Sequence, residues 1–418
     1  MTLTSSATVK AAAFKSGYNP SALASASFTN TITNTIPPAS YYVGKNGSDS
    51  YSCTQARSSS TPKLTINAGL ACIGTNAGAG ANQIVEVASG TYVEQIYNNL
   101  PTGTSWNAPF TLRAKAGDTV TIKATSNFNL YLGNNVDYFS TVEGFVLDGT
   151  NVINTQVFIT TSSFVRLKNL QIINTNGSIG IYIDPYAHDI EVLDSKIHDG
   201  NFDCTLATPP CPQGTGYPIY LAGHNNLIQG NEIYNAPTFG IHVYSAHPEK
   251  PDNNIINRNI VRNVSTLGGS TGGIIIASSG NGNIVSNNLI YNNNSFGIQI
   301  ALGATNTKVF NNTVYGNAET GIMNWYSNVT GTVIKNNIAW NNRAGQITDQ
   351  TGNGTTVISN NLTSDPKFVN PTSNNFRVQS GSLAIDTGVN LWSEGVNTDF
   401  NAVPRPQICC YDIGAYEQ

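Results

Sequence analysis

The 418-residue sequence predicts an all-β parallel solenoid, and three observations predict it: a repeat of about 25 residues, Asn at fixed places within it, and scarce charge. Aligned on the pattern Asn-x-Ile-x-Asn, one column holds Phe145, Leu170, Ser195, Asn231, Asn259, Asn288, Asn312, Asn337 and Asn361. The steps are 25, 25, 36, 28, 29, 24, 25 and 24 residues. The chain has 55 Asn and 39 Gly, and 11% charged residues where roughly 25% is usual. A hydrophobic content of 39% excludes a disordered chain. A net charge of −4 supplies no basic stripe, so no nucleic-acid partner is expected. No apolar run is long enough to span a bilayer.

Three short strands account for each repeat. The first starts at the Asn column, with apolar residues two positions on (Leu147, Ile172, Ile233, Val261, Ile290) and polar ones four positions on (Asn174, Asp199, Asn235, Asn263, Asn292, Asn341). The second often follows a Gly, as in GIYID at Gly180, GIHVY at Gly240, GIIIA at Gly273, GIQIA at Gly297 and GIMNW at Gly321. The third leads back to the column, as in NLIQGN, NIVSNN, TKVFNN and TVIKNN. Alternation over a few residues between Gly and Asn turns describes one coil of a parallel solenoid. Helical spacing over ten or more positions is lacking. Asn tolerates left-handed backbone angles, and stacked amides can hydrogen-bond from coil to coil, so the Asn columns are structural.

These repeats resemble the right-handed parallel β-helix of the pectate-lyase-like superfamily over residues 41 to about 365. The start, YYVGKNGSDS at Tyr41 with TPKLTINAGLA and IVEVASGTYVEQI, resembles the opening coils of several polysaccharide lyase and glycoside hydrolase families. Thr61 and Pro62 fit the cap and first position of a short helix over the first edge. The tail, SDPKFVNPTSNNFRVQSGSLAIDTGVN to IGAYE, resembles the C-terminal cap of secreted β-helix proteins, placing a cap at 366–418. Ahead of the solenoid, Thr8 to Thr31 resembles the last strands of a chitobiase/β-hexosaminidase C-terminal module. That likeness implies a remnant at 1–34, a linker at 35–40 and a place in a larger secreted protein. Residues 1–25 lack the basic start and continuous apolar stretch of a signal peptide.

Six Cys form three sequence-local couples, Cys53 with Cys72, Cys204 with Cys211, and Cys409 beside Cys410. None has CxxC metal spacing, and the even set fits an oxidising compartment. Disulfides Cys53–Cys72 and Cys204–Cys211 are expected, the second stapling an insertion between Asp199 and Tyr217 that would wall a groove.

In the resembling families the substrate lies on the sheet of Gly-Ile strands. With Ile181, Ile183, Ile219, Leu221, Ile241 and Val243 inside, alternation turns one row outward: Tyr131, Phe158, Tyr182, Tyr220, His242, Ile275, Gln299 and Met323. A second row is Gly133, Thr160, Asp184, Ala222, Tyr244, Ala277, Ala301 and Trp325. Exposed rings make a platform for sugar faces, so Tyr131, Phe158, Tyr182, Gln299 and Trp325 are candidate substrate contacts. All five His lie within 60 residues. His242 falls on the face, while His188, His224 and His247, with Lys250, fall in bordering turns. His198 belongs to a different sheet and is excluded.

The first reading of the chemistry is β-elimination of an extracellular polysaccharide by a lyase or related epimerase, with His242, Tyr220, Tyr244, Asp184 and His224 as candidate catalytic groups. His suits a base near neutral pH and Tyr can donate its proton. Lys250 is the nearest cation for a substrate carboxylate. Asp184, Asp189, Asp199 and Asp203 are candidate oxygen ligands for Ca²⁺. The alternatives are hydrolysis of a neutral glycan, with Asp184 and a loop carboxylate such as Glu249, and a non-catalytic glycan-binding or adhesin solenoid; a monomer is expected in each case.

Overall fold

The computed structural model describes residues 7–11, 24–28, 39–150, 152, 155–175, 179–199, 216–266 and 271–418. The chain divides into two compact units, Met1–Ala39 and Ser40–Gln418. In the first, Ala7–Ala11 pairs antiparallel with Ala24–Phe28.

The second unit is a solenoid. Among the described residues it has three parallel sheets of twelve, ten and ten strands, and each coil adds one strand to each sheet. The first sheet runs from Ala39–Val43 to Val357–Ser359, the second from Gly90–Tyr92 to Ile338–Trp340, and the third from Ile96–Tyr97 to Gly345–Asp349. The third sheet holds the Gly-Ile strands, including Ile179–Ile183, Tyr217–Leu221 and Ile241–Val243. Its alternation is as expected: Ile181, Ile183, Ile219, Leu221, Ile241 and Val243 are fully buried in one continuous core. The glycine before each Ile makes the corner. A Cβ on Gly240 would stand 2.5 Å from Val261 of the second sheet, so a larger residue would push the two sheets apart.

The Asn column is a buried ladder. Asn259 donates from its backbone N and from Nδ2 to Oδ1 of Asn288, at 2.8 and 3.0 Å, while Asn288 Nδ2 reaches the Ile256 carbonyl at 2.9 Å. The same geometry links Asn231 through Asn361. The left-handed residues are different asparagines, one position before the ladder (Asn287, Asn311, Asn336) and four after the ladder position (Asn292, Asn341), with φ between 52° and 58°. The two properties of Asn are therefore used in separate columns. A further ladder, Asn293–Asn317–Asn342, runs beside the corner glycines.

The N-terminal end departs from expectation in one feature. The N-terminal helix spans Ile66–Ala71 rather than starting after Thr61: Thr65 caps it through Oγ1, and the Glu94 carboxylate accepts the Ile66 and Asn67 N–H groups. Thr61 instead donates to the Gln55 carbonyl. At the other end, the hairpin of Phe368–Asn370 and Asn375–Val378 packs Phe368 and Phe376 against Leu289, Tyr291 and Ile338. The tail thus lies along the outer face of the second sheet, held by the fully buried Arg405 and Glu417, 2.6 Å apart. Cys53 and Cys72 are disulfide-bonded, whereas Cys409 and Cys410 are free thiols. Cys204 and Cys211 lie outside the described residues.

Candidate functional site

The outward row of the third sheet keeps the expected register, and one more ring joins it. Tyr97, Tyr131, Phe158, Tyr182, Tyr220 and His242 pair across successive coils. Ring centroids are 4.5 Å apart for Tyr97–Tyr131, 5.4 Å for Tyr131–Phe158, 5.0 Å for Phe158–Tyr182 and 5.1 Å for Tyr182–Tyr220. Stacked and edge-on contacts alternate, each worth roughly 0.5–1.5 kcal/mol beyond area burial. Burial raises the Tyr182 phenol to about 12 and pushes Tyr220 higher still, so both remain proton donors across ordinary pH.

The row is not open to solvent throughout, because alternation decides which face a residue occupies but not what covers that face. His242 is 8% exposed. Tyr217, Phe239 and Tyr244 stack on its ring at 4.5, 5.0 and 5.3 Å, and Tyr220 meets it edge-on at 4.8 Å. Its Nδ1 is buried without a hydrogen-bond partner among the described residues, and burial pushes its pKa down to about 3. The expectation of a solvent-facing His242 base is therefore corrected. This imidazole is neutral and packed, and so weak a base takes no proton at neutral pH. Further along, Ile275, Gln299 and Met323 hold their register but are buried, as are Ala222, Ala277 and Ala301. Gln299, at 2% exposure, does not present its amide to a ligand. Trp325 lies partly exposed against Tyr326 at 4.7 Å, beyond the ring row.

The bordering turns bring the other histidines together in two groups. His188 and His224 pair as an isolated bridge and stack at 5.1 Å, extending a second ladder through Phe164 and Phe139. His188 Nδ1 lies 2.8 Å from Asp189, and burial, then His188, lowers the His224 pKa. In the other group, Tyr186 Oη lies 3.1 Å from His247 Nε2, and His247 Nδ1 contacts the Glu249 carboxylate. Asp184 accepts the Tyr186 N–H at 3.2 Å, and Lys250 Nζ donates to the His247 carbonyl at 2.7 Å. The coil between carries Ala222 and Gly223 at this place. A Cβ on Gly223 would collide with the Ala187 carbonyl, so this coil packs closely under the turn that carries Tyr186. His198 is on the second sheet, stacked on Tyr234 at 4.6 Å.

Of the expected Ca²⁺ ligands, Asp184, Asp189 and Asp199 are described, and they lie in two separate turns. Asp184 and Asp189 lie in the turn after a third-sheet strand, Asp199 follows a second-sheet strand and binds His198 and Asn235, and Asp203 lies outside the described residues. Among the described residues no three His, Cys, Asp or Glu groups could hold a metal ion. No described helix is long and apolar enough to cross a membrane.

The family described as right handed beta helix region matches residues 219–401. The chain is a right-handed parallel β-helix. No curated protein matches the sequence of this β-helix. Among solved structures, pectate lyase Pel9A aligns over 91% of this chain and 96% of its own, at 16% identity and a TM-score of 0.64. XylC in complex with xylose aligns over 90% and 98%, at 10% identity and a TM-score of 0.50. Both are likenesses of fold. Sequence reasoning missed Tyr97, which sits one coil before the recognised row, and Tyr186, which sits in a turn where strand alternation gives no direction. The closeness of His188, Asp189 and Tyr186 in sequence was the available signal.

Proposed function

We propose that this β-helix is extracellular, binds a polysaccharide along the ring row from Tyr97 to Tyr220, and cleaves it by β-elimination. The observation that carries the reading is a ring in each successive coil from Tyr97 to Tyr220 on one sheet face, ending beside a cluster of His, Tyr and carboxylate groups. Rings in coil-to-coil register suit a chain of sugar units, because each sugar presents C–H groups to a ring face. The disulfide Cys53–Cys72 fits an oxidising compartment. The name of the neighbour Pel9A, a pectate lyase, agrees with the reaction class.

Elimination needs a base for a carbon-bound proton, a proton for the leaving oxygen and a cation near the substrate carboxylate. Tyr182 and Tyr220 stay protonated and act as hydrogen-bond donors to the sugar. Lys250 is the cation on this border. Asp184 binds a sugar hydroxyl through Oδ2, the oxygen not used by Tyr186.

The test is a polysaccharide panel read three ways: bound affinity, ultraviolet absorbance of unsaturated uronyl ends, and new reducing ends. Unsaturated ends are expected. Reducing ends without them would mean hydrolysis, and binding without either would mean a glycan-binding solenoid. Tyr182→Ala removes the middle ring and is expected to weaken affinity about tenfold, corresponding to one ring contact of roughly 1.4 kcal/mol.

A further inference from the structure

The ring row explains binding, but burial removes His242 from proton transfer and leaves the base of the reaction unassigned. The groups tied together at the border fill that gap. Tyr186 and His247 belong to turns two coils apart, and each is substantially exposed: Tyr186 is 46% accessible, and the His247 and Glu249 side chains 43% and 40%. Buried polar groups must find partners inside the protein, whereas exposed ones have water. A chain of phenol, imidazole and carboxylate held in the open is therefore not enforced by burial. Its backbone is braced as well, since His247 N donates to Ser245 Oγ at 3.1 Å and Lys250 grips the His247 carbonyl.

We propose that Glu249, His247 and Tyr186 form a proton relay in which Tyr186 is the base and then the acid of the elimination, acting on a uronic-acid unit of the bound chain. This rests on the elimination reading above. Glu249 accepts the Nδ1 proton of His247, which leaves Nε2 as the acceptor of the Tyr186 phenol. Tyr186 is itself a poor phenolate, because desolvation, then Glu249 and Asp184, raises its pKa. It gains basicity only by passing its own proton on.

The step balances without any other reactant. A lone pair on Tyr186 Oη takes the proton from C5 of the uronyl ring as the phenolic proton moves to His247 Nε2. The C5–H electron pair becomes the C4–C5 double bond, and the C4–O bond breaks with its pair on the departing oxygen. That oxygen then takes the proton from Tyr186, and His247 returns the other. Glu249 holds the imidazolium charge in between.

The experiment uses the full chain on the polysaccharide from which the wild type releases unsaturated ends. Tyr186→Phe keeps the ring and removes the relay oxygen. Turnover is expected to fall at least 100-fold, with affinity within about threefold of wild type, as for loss of a general acid–base group. His247→Gln is expected to fall as far, and Glu249→Gln about tenfold. Full turnover in Tyr186→Phe overturns the proposal while leaving elimination intact. A wild type that binds glycan and releases no unsaturated end instead refutes the elimination reading. Should a variant fail to fold, the imidazole nitrogen resonances of wild-type His247 decide: a proton on Nδ1 supports the relay, and a proton on Nε2 overturns it.

Discussion

The two halves of the solenoid hold their coils in register by opposite means. From Tyr97 to His242 the third sheet has a ring in each coil on its outer face, and from Ile275 onward that row has none. Inside the turn before the second sheet the pattern reverses. Phe145 and Leu170 fill the first places of the column, Ser195 begins the hydrogen-bonded ladder, and Asn runs from Asn231 to Asn361. Buried amides fix register and touch nothing outside. Half-buried rings also fix register, but from Tyr97 to Tyr220 they keep part of their surface open to solvent. The two devices overlap from Ile179 to Val243, and there the paired turns of Tyr186 and His247 meet.

The comparison breaks most sharply if an interior amide proves dispensable. Asn288→Leu leaves the Asn259 backbone N and Nδ2 without their acceptor and strips a donor from the Ile256 carbonyl and Asn312 Oδ1. Each buried group left unsatisfied costs about 1–3 kcal/mol, so a loss of about 3 kcal/mol or more is expected in denaturant unfolding. Tyr131→Ala, in the ring row, is expected to lose about half as much, since a partly exposed ring leaves no buried polar group behind. Equal losses would mean that the rings, too, serve mainly stability.

That asymmetry also sets what the sequence could reveal. A ladder repeats its residue type at a fixed interval, so Asn231 to Asn361 and the Ile beside each corner glycine can be read from spacing alone, and with them the three sheets. Outward direction is equally legible, because Tyr182, Tyr220 and His242 follow from strand alternation. Cover is not: Phe239 and Tyr217 close over His242 from positions that no repeat marks. Nor is contact between turns. Tyr186 meets His247 across 61 residues, a contact that neither turn's own sequence marks.

The covered histidine gives the next test, at the seam between the halves. An unfolded chain protonates His242 near the ordinary 6.5, but the folded chain does so only near about 3. Its folded pKa is depressed, so the folded state is favoured fully above the unfolded value, and that advantage is lost as pH falls from about 6.5 toward 3. The slope is at most about 1.4 kcal/mol per pH unit. Stability of wild type and His242→Phe, measured across this window, should diverge: the variant loses this part of the acid dependence. Parallel curves would mean that water reaches the imidazole, restoring His242 as a candidate base.

The smallest expected effect sharpens the boundary between the two devices. Ser195 stands in the ladder column and imitates an amide in part: its Oγ accepts the Leu170 N–H at 3.0 Å and donates to the Leu193 carbonyl at 2.8 Å. Its backbone N donates to Asn231 Oδ1, so the ladder already ends on it. Ser195→Asn would carry the amide one coil toward the rings, replacing the hydroxyl acceptor for Leu170 and adding an Nδ2 donor. The added hydrogen bond is worth about 1 kcal/mol at most, against the strain of a larger side chain at a fully buried site. A midpoint shift equivalent to less than about 1 kcal/mol in either direction is expected. A gain would mean that the ladder stops here for want of an Asn. A loss would mean that Leu170 and Phe145 already pack this corner, and that the ring-bearing half is closed to the amide device by the volume of its own core.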